Sequence, residues 1–191
     1  MVNEAAPGRA RRADARRNQE ALLDAAAAVF VESGVDAPVR DIAARAEVGV
    51  GTIYRHFPTR ADLIIAVYRH QVDACAEAGE AMLADGTPPR EALSRWIDQF
   101  VDFLVTKHGL AGVLQSDRAS FDALHTGFLD RLVPICERLL AAGAAAGQLR
   151  GDVGGLELMR GVGNLCLTLG ADDRYQPRRL VALLLNGLRA D

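Results

Sequence analysis

Aromatic residues make up only 5% of this 191-residue chain, and only three residues are cysteine. Cys75, Cys136 and Cys166 are odd in number, far apart and set in apolar helical surroundings. That pattern argues against a disulfide framework or a zinc site and reads as reduced, buried thiols. The four histidines share no ligand spacing with each other or with the cysteines, so no metal site and no cofactor motif is legible. No apolar run approaches the roughly 20 residues that span a bilayer. No apolar segment follows the N-terminal arginines as it does in a secretory signal, and the expected location is the cytoplasm, without membrane attachment. There is no alternating strand pattern and no internal repeat, so the expected class is all-α. Neither a nucleophile–base pair nor paired carboxylates can be read, and Asp172-Asp173 looks like a solvated loop; an all-α enzyme is therefore the weakest functional reading.

What is present is alanine, leucine and glycine, with half the residues hydrophobic and a quarter charged. This is an ordinary globular composition, long enough for a sizeable core. The net charge is −3, but it is unevenly spread: residues 1–60 carry nine arginines against eight acidic residues, and 61–191 carry 13 basic against 17 acidic. Arg9, Arg11, Arg12, Arg16 and Arg17 crowd together near the start. Such an arm is usually solvated, with polyanion contact the sharper alternative.

Residues 1–13 lack periodicity and read as a disordered basic arm. From Arg16 the residues Leu22, Leu23, Ala26, Val29 and Phe30 recur at helical spacing, and Gly34 is a natural stop. Pro38 suits the first turn of a second helix with Ile42, Ala43 and Ala46 inward. A short third helix spans 50–57 and ends before Pro58. Thr59 with Asp62 forms an N-cap signature for a fourth helix reaching about residue 84. After Asp85-Gly-Thr-Pro-Pro, a helix over 89–107 has a wide apolar face and is expected to break at Gly109. A short irregular or helical piece (110–118) and a long helix over 122–146 follow. Asp152 is the expected cap of a helix over 153–170, and the last helix covers 176–189. The domain reading is a helix-turn-helix unit over 14–58 and a second helical domain over 59–191.

The stretch VGVGTIYRHFPTRADL, residues 48–63, places two glycines, a tyrosine and basic side chains on a helix with little apolar surface. With Ile53 at the centre of a helical wheel, Phe57 and Val50 fall beside it. Gly51, Thr52 and Arg55 lie opposite, and Tyr54 and His56 lie at the edges. The narrow seam can dock on the first two helices, while the outer face is flat, hydrogen-bonding and basic. A helix that enters the major groove of double-stranded DNA needs such a face, with hydroxyls reaching phosphates on the groove walls. Spacing alone leaves an ordinary short helix with a polar outer face as an equal reading.

The string VRDIAARAEVGVGTIYRHFPTRADL carries more than spacing. Residues 16–67 resemble the N-terminal module of TetR-family transcriptional regulators, with Ile42-Ala43 in the second helix and Gly51, Thr52, Ile53, Tyr54 and Phe57 at the family's intervals. The resemblance implies that Thr52, Tyr54, His56 and Arg60 contact phosphates, while Arg40, Val50, Gly51 and Arg55 lie nearest the bases. Arg40 is the preferred direct reader, because arginine can bridge guanine O6 and N7; Arg16 and Arg17 would add phosphate or minor-groove contacts. Four departures stand out. Glu47 occupies a usual glycine position, Gly49 a frequent serine, Pro38 a Ser/Thr cap, and Arg60 a common lysine.

The DNA module is complete without the remaining helices. Trp96, Phe100, Phe103, Phe121 and Phe128 concentrate aromatic bulk in the middle of the chain. Filling a core is the simpler reading of each; the resemblance implies an effector pocket that some of them would line. No charged constellation points to one ligand. In QPRRLVALLLNGLRA, leucines surround nearly the whole helix, and the preceding helix is as rich. Burial within one subunit is one reading. The other, which the resemblance also implies, is a homodimer through residues 153–189 that binds an inverted-repeat operator. The functional expectation is a repressor released by a small molecule. An activator and a regulator controlled by a partner protein are the alternatives.

Overall fold

The computed structural model describes residues 7–113, 118–167 and 175–190. These form eight helices with no strand among the described residues; an isolated antiparallel bridge pairs Leu149 with Arg189. The all-α expectation holds.

Helices α1 (Pro7–Ser33), α2 (Val39–Arg45) and α3 (Val50–His56) form the first unit. The first helix begins nine residues before the expected Arg16. Alanine and arginine are good helix formers and proline is tolerated in a first turn, so residues 7–13 of the expected arm extend the helix; residues 1–6 lie outside the described residues. Leu22, Leu23, Ala26, Val29 and Phe30 are buried as the periodicity predicts. Gly34 ends the helix at φ 77°, with its N–H donating to the Phe30 carbonyl at 2.8 Å. Pro38 is the N-cap of α2 and supplies no side-chain cap.

The connection from α2 to α3 is a Schellman turn. The Val48 N–H donates to the Ala43 carbonyl at 3.0 Å, and the Glu47 N–H to the Ala44 carbonyl at 3.3 Å. Glu47 itself sits at φ 54°, among the described residues the one non-glycine with positive φ. A left-handed turn that glycine would adopt freely is thus kept here by Glu47 at the cost of backbone strain.

Helix α4 (Arg60–Ala84) opens with the expected capping box. The Asp62 N–H donates to Thr59 Oγ1 at 3.1 Å, and the Thr59 N–H donates to the Asp62 carboxylate at 3.0 Å. Helix α5 (Pro89–Val113) is the central post, packed against α1, α4, α6 (Arg118–Ala145) and α7 (Gly155–Leu165). Its wide apolar face is buried: Leu93, Trp96, Ile97, Phe100, Val101, Phe103 and Leu104 are all core. Gly109 does not end this helix. It is there for contact, because a β-carbon at 109 would overlap the Val35 side chain in the α1–α2 connection.

Asp152 does not cap α7. Gly154 is the N-cap, Asp152 pairs with Arg150 at 2.5 Å, and Glu137 on α6 accepts from the Gly155 N–H at 2.6 Å. Helix α8 (Pro177–Asn186) packs on α7. Both final helices are shorter than expected, and Asp172-Asp173 lie outside the described residues. Among the described residues, no helix is long and apolar enough to cross a membrane.

Candidate nucleic-acid interface and effector cavity

The seam of α3 is narrow. Ile53 and, just beyond the helix, Phe57 are buried, and they alone anchor this segment. Gly51, Tyr54, Arg55 and His56 are exposed and Thr52 is half-buried. Val50, which the helical wheel leans inward, is 39% exposed, and Tyr54 is 48% exposed. A β-carbon on Gly51 would meet nothing within 4 Å. Glycine within a helix costs about 1 kcal/mol relative to alanine; internal packing gives no reason for it here.

The expected arginines divide into two groups. Arg40, on the first turn of α2, is exposed, with only a loose 3.5 Å approach to Asp41. Arg16 lies 3.2 Å from Glu20, and Arg17 pairs with Asp14, all on the solvent side of α1. Exposed pairs of this kind are worth little and exchange readily for other anions.

Arg60 is different. Its guanidinium is half-buried, donating through Nε to the Val35 carbonyl at 3.0 Å and through Nη2 to the Ala37 carbonyl at 2.6 Å. Helix α4 starts beside the α1–α2 connection, whose carbonyls lie outside any helix ladder and need donors. Arg60 thus braces the α1–α2 connection from the start of α4. Two further ties hold the frame: Arg45 to Glu32 at 2.6 Å, and His70 to Asp24 at 2.7 Å.

The aromatic residues stack in a continuous column. Trp96 lies parallel to Phe100 at 5.9 Å, Phe100 to Phe128 at 6.0 Å, and Phe103 approaches Phe128 at 5.4 Å. The Trp96 indole N–H donates to the Cys75 carbonyl at 2.9 Å. Only Phe100 and Phe128 of the expected liners reach a cavity of about 150 Å³ between α5, α6 and α7. Trp96 and Phe103 are buried in the core and do not line it, and the Phe121 side chain lies outside the described residues.

Sequence reasoning missed the charged half of that cavity. Lys107, His108, His125 and Arg160 line it. They come from three helices, so no local spacing could have revealed them. Lys107 Nζ sits 5.2 Å above the centre of the Phe128 ring. Burial holds the Lys107 ammonium below its usual pKa. Burial first, then repulsion from Lys107, pushes His108 and His125 down as well. A larger groove of about 720 Å³ runs between the start of α5 and α8, at the opposite end of α5 from Gly109. It is open and lined by both acids and bases, so it selects poorly for any ligand.

Comparison with known proteins agrees with this geometry. Residues 22–67 match the family model for bacterial regulatory proteins of the TetR family, and residues 88–190 match the SbtR-like transcriptional regulator C-terminal domain. The crystal structure of the TetR transcriptional regulator SCO0520 from Streptomyces coelicolor is 37% identical, with a TM-score of 0.72 over 89% of this chain and 97% of that one. The transcriptional repressor KstR of Mycolicibacterium smegmatis is 36% identical over 75 residues, 38% of this chain and 37% of the relative. The transcriptional activator FasR of the same organism is 37% identical over 92 residues, 48% of this chain and 41% of the relative. The chain therefore spans well under two thirds of the length of those two curated relatives. A family model covering more than half the sequence and a solved relative matched nearly end to end establish that the chain belongs to the TetR family of DNA-binding transcriptional regulators.

Proposed function

We propose that this protein is a homodimeric repressor that binds an inverted-repeat operator in double-stranded DNA and releases it when a small-molecule effector occupies the helical domain. The observation that carries the DNA-binding half is Gly51: an exposed glycine inside α3 where a β-carbon would meet nothing within 4 Å among the described residues. A bare backbone there lets the first turns of α3 approach the floor of the major groove. Thr52, Tyr54 and His56 then reach phosphates, Arg16 and Arg17 add charge from α1, and Val50, Arg40 and Arg55 face base edges. The protein acts in the cytoplasm, as a regulator and not as an enzyme.

Dimerisation is supported by where large apolar side chains remain exposed among the described residues. Two, Val50 and Tyr54, lie on α3; the other three, Leu156, Leu167 and Leu183, lie on or next to α7 and α8. A second copy pairing through α7 and α8 would cover these three in a four-helix arrangement about a two-fold axis. Effector control is supported by the short route between the two sites. Lys107 and His108 line the cavity, and Gly109, next along α5, rests on Val35 of the DNA-binding unit. An effector that prefers one setting of α5 would shift the module between a binding and a non-binding pose.

Selection of bound duplexes from a random pool tests this reading. It should return an inverted repeat, bound by a dimer in sedimentation experiments; a single asymmetric half-site bound by a monomer would contradict it. Activation is the second reading, favoured by the likeness to a relative named as an activator. A reporter gene behind the selected operator separates the two by the sign of its response.

A further inference from the structure

We infer that the cavity between α5, α6 and α7 binds a small aromatic or short-chain carboxylate, held between a basic, hydrogen-bonding wall of Lys107, His108, His125 and Arg160 and the rings of Phe100 and Phe128. This deepens the effector reading and takes its regulatory meaning from it.

Size sets the first limit. A volume of about 150 Å³ matches the roughly 150 Å³ of an engineered apolar cavity that admits benzene. One ring or a short branched chain fits; a nucleotide or a long acyl chain does not.

Charge sets the second. Four basic side chains converge from three helices, and among the described residues no aspartate or glutamate lines the space. Lys107 forms none of the ion pairs found among the described residues and rests its ammonium on the Phe128 ring instead. The carboxylate that acts on His125, Asp122, is not part of the cavity wall. Burial opposes the protonated forms of Lys107, His108 and His125, and repulsion from Lys107 adds to it at the two histidines. A bound carboxylate would offset that repulsion and accept charge-assisted hydrogen bonds, while the apolar side of the cavity takes its ring.

The test is calorimetric titration of the full-length protein with benzoate and with the neutral isostere benzyl alcohol. The Trp96 fluorescence is followed in parallel, because Trp96 stacks on the lining residue Phe100 at 5.9 Å. Benzoate should bind at least about tenfold more tightly than benzyl alcohol, as expected for hydrogen bonds to a charged group. Lys107→Met should cut benzoate affinity by about tenfold or more and leave that of benzyl alcohol nearly unchanged. Arg160→Gln, at an exposed position, provides a second variant should Lys107→Met fold poorly. Equal affinity for the two compounds, or benzoate affinity retained in both variants, would overturn the carboxylate assignment. So would the failure of benzoate to bind at millimolar concentration. Operator release by some other compound would then keep the effector reading while this inference falls.

Discussion

Gly109 on α5 lies so close to Val35 in the α1–α2 connection that a β-carbon at 109 would overlap both Val35 methyl groups. Here the helical domain touches the DNA-binding unit with no side chain to spare. Gly109→Ala should therefore cost about 1–3 kcal/mol of stability by overpacking and alter operator affinity without touching the DNA-facing surface. Val35→Ala in the same protein should recover much of both losses, a coupling that a double-mutant cycle measures directly. Additive effects of the two substitutions would show that the contact transmits nothing.

The carbonyl of the same Val35 accepts from Arg60. Arg60→Ala would leave the Val35 and Ala37 carbonyls short of donors, at about 1–3 kcal/mol for groups that lose their partner. Urea denaturation should report that loss, while the slope of operator affinity against salt stays the same. The expectation drawn from sequence, a phosphate contact, predicts the reverse: unchanged stability and a slope flatter by about one.

The sequence carried the DNA-binding unit well because its signals are local. Gly34, the Thr59–Asp62 capping box and the Ile53–Phe57 seam each act within one or two turns, and all appear where expected. The bracing hydrogen bonds of Arg60 were not legible because their acceptors, the Val35 and Ala37 carbonyls, lie far back in the chain. Gly109 was read as a stop because the close approach of Val35 cannot be seen in periodicity. The basic wall of the cavity was invisible for the same reason, being assembled from α5, α6 and α7. The aromatics were recognised as a group, but which rings face the cavity and which fill the core depends on tertiary packing alone.

Glu47 holds a left-handed turn at φ 54°. Glycine adopts that conformation without strain, whereas an L-residue pays about 1–2 kcal/mol, partly offset by glycine's larger unfolded-state entropy. Glu47→Gly should stabilise the protein by up to about 1 kcal/mol and raise its melting temperature by a few degrees. A drop in melting temperature would mean that the Glu47 side chain makes a contact worth more than the strain.

Arg40 is exposed on the first turn of α2, with no close hold on Asp41. As a base reader, Arg40→Ala should weaken operator binding by about 1–3 kcal/mol and relax the preference at one base pair in each half-site. Equal weakening on operator and random duplex, measured by competition across salt concentrations, would make Arg40 a phosphate contact instead.

The central claim is that the outer face of α3 meets DNA, and Gly51 tests it most directly. A β-carbon there meets nothing within 4 Å in the free protein, and leucine has a better helix propensity than glycine. Gly51→Leu should therefore leave the melting temperature unchanged or higher. Fluorescence anisotropy on the selected inverted-repeat duplex should then show affinity reduced by about tenfold or more, as expected when bulk blocks close approach of a helix to the groove. A stable Gly51→Leu protein that binds the operator as tightly as the wild type would contradict the account.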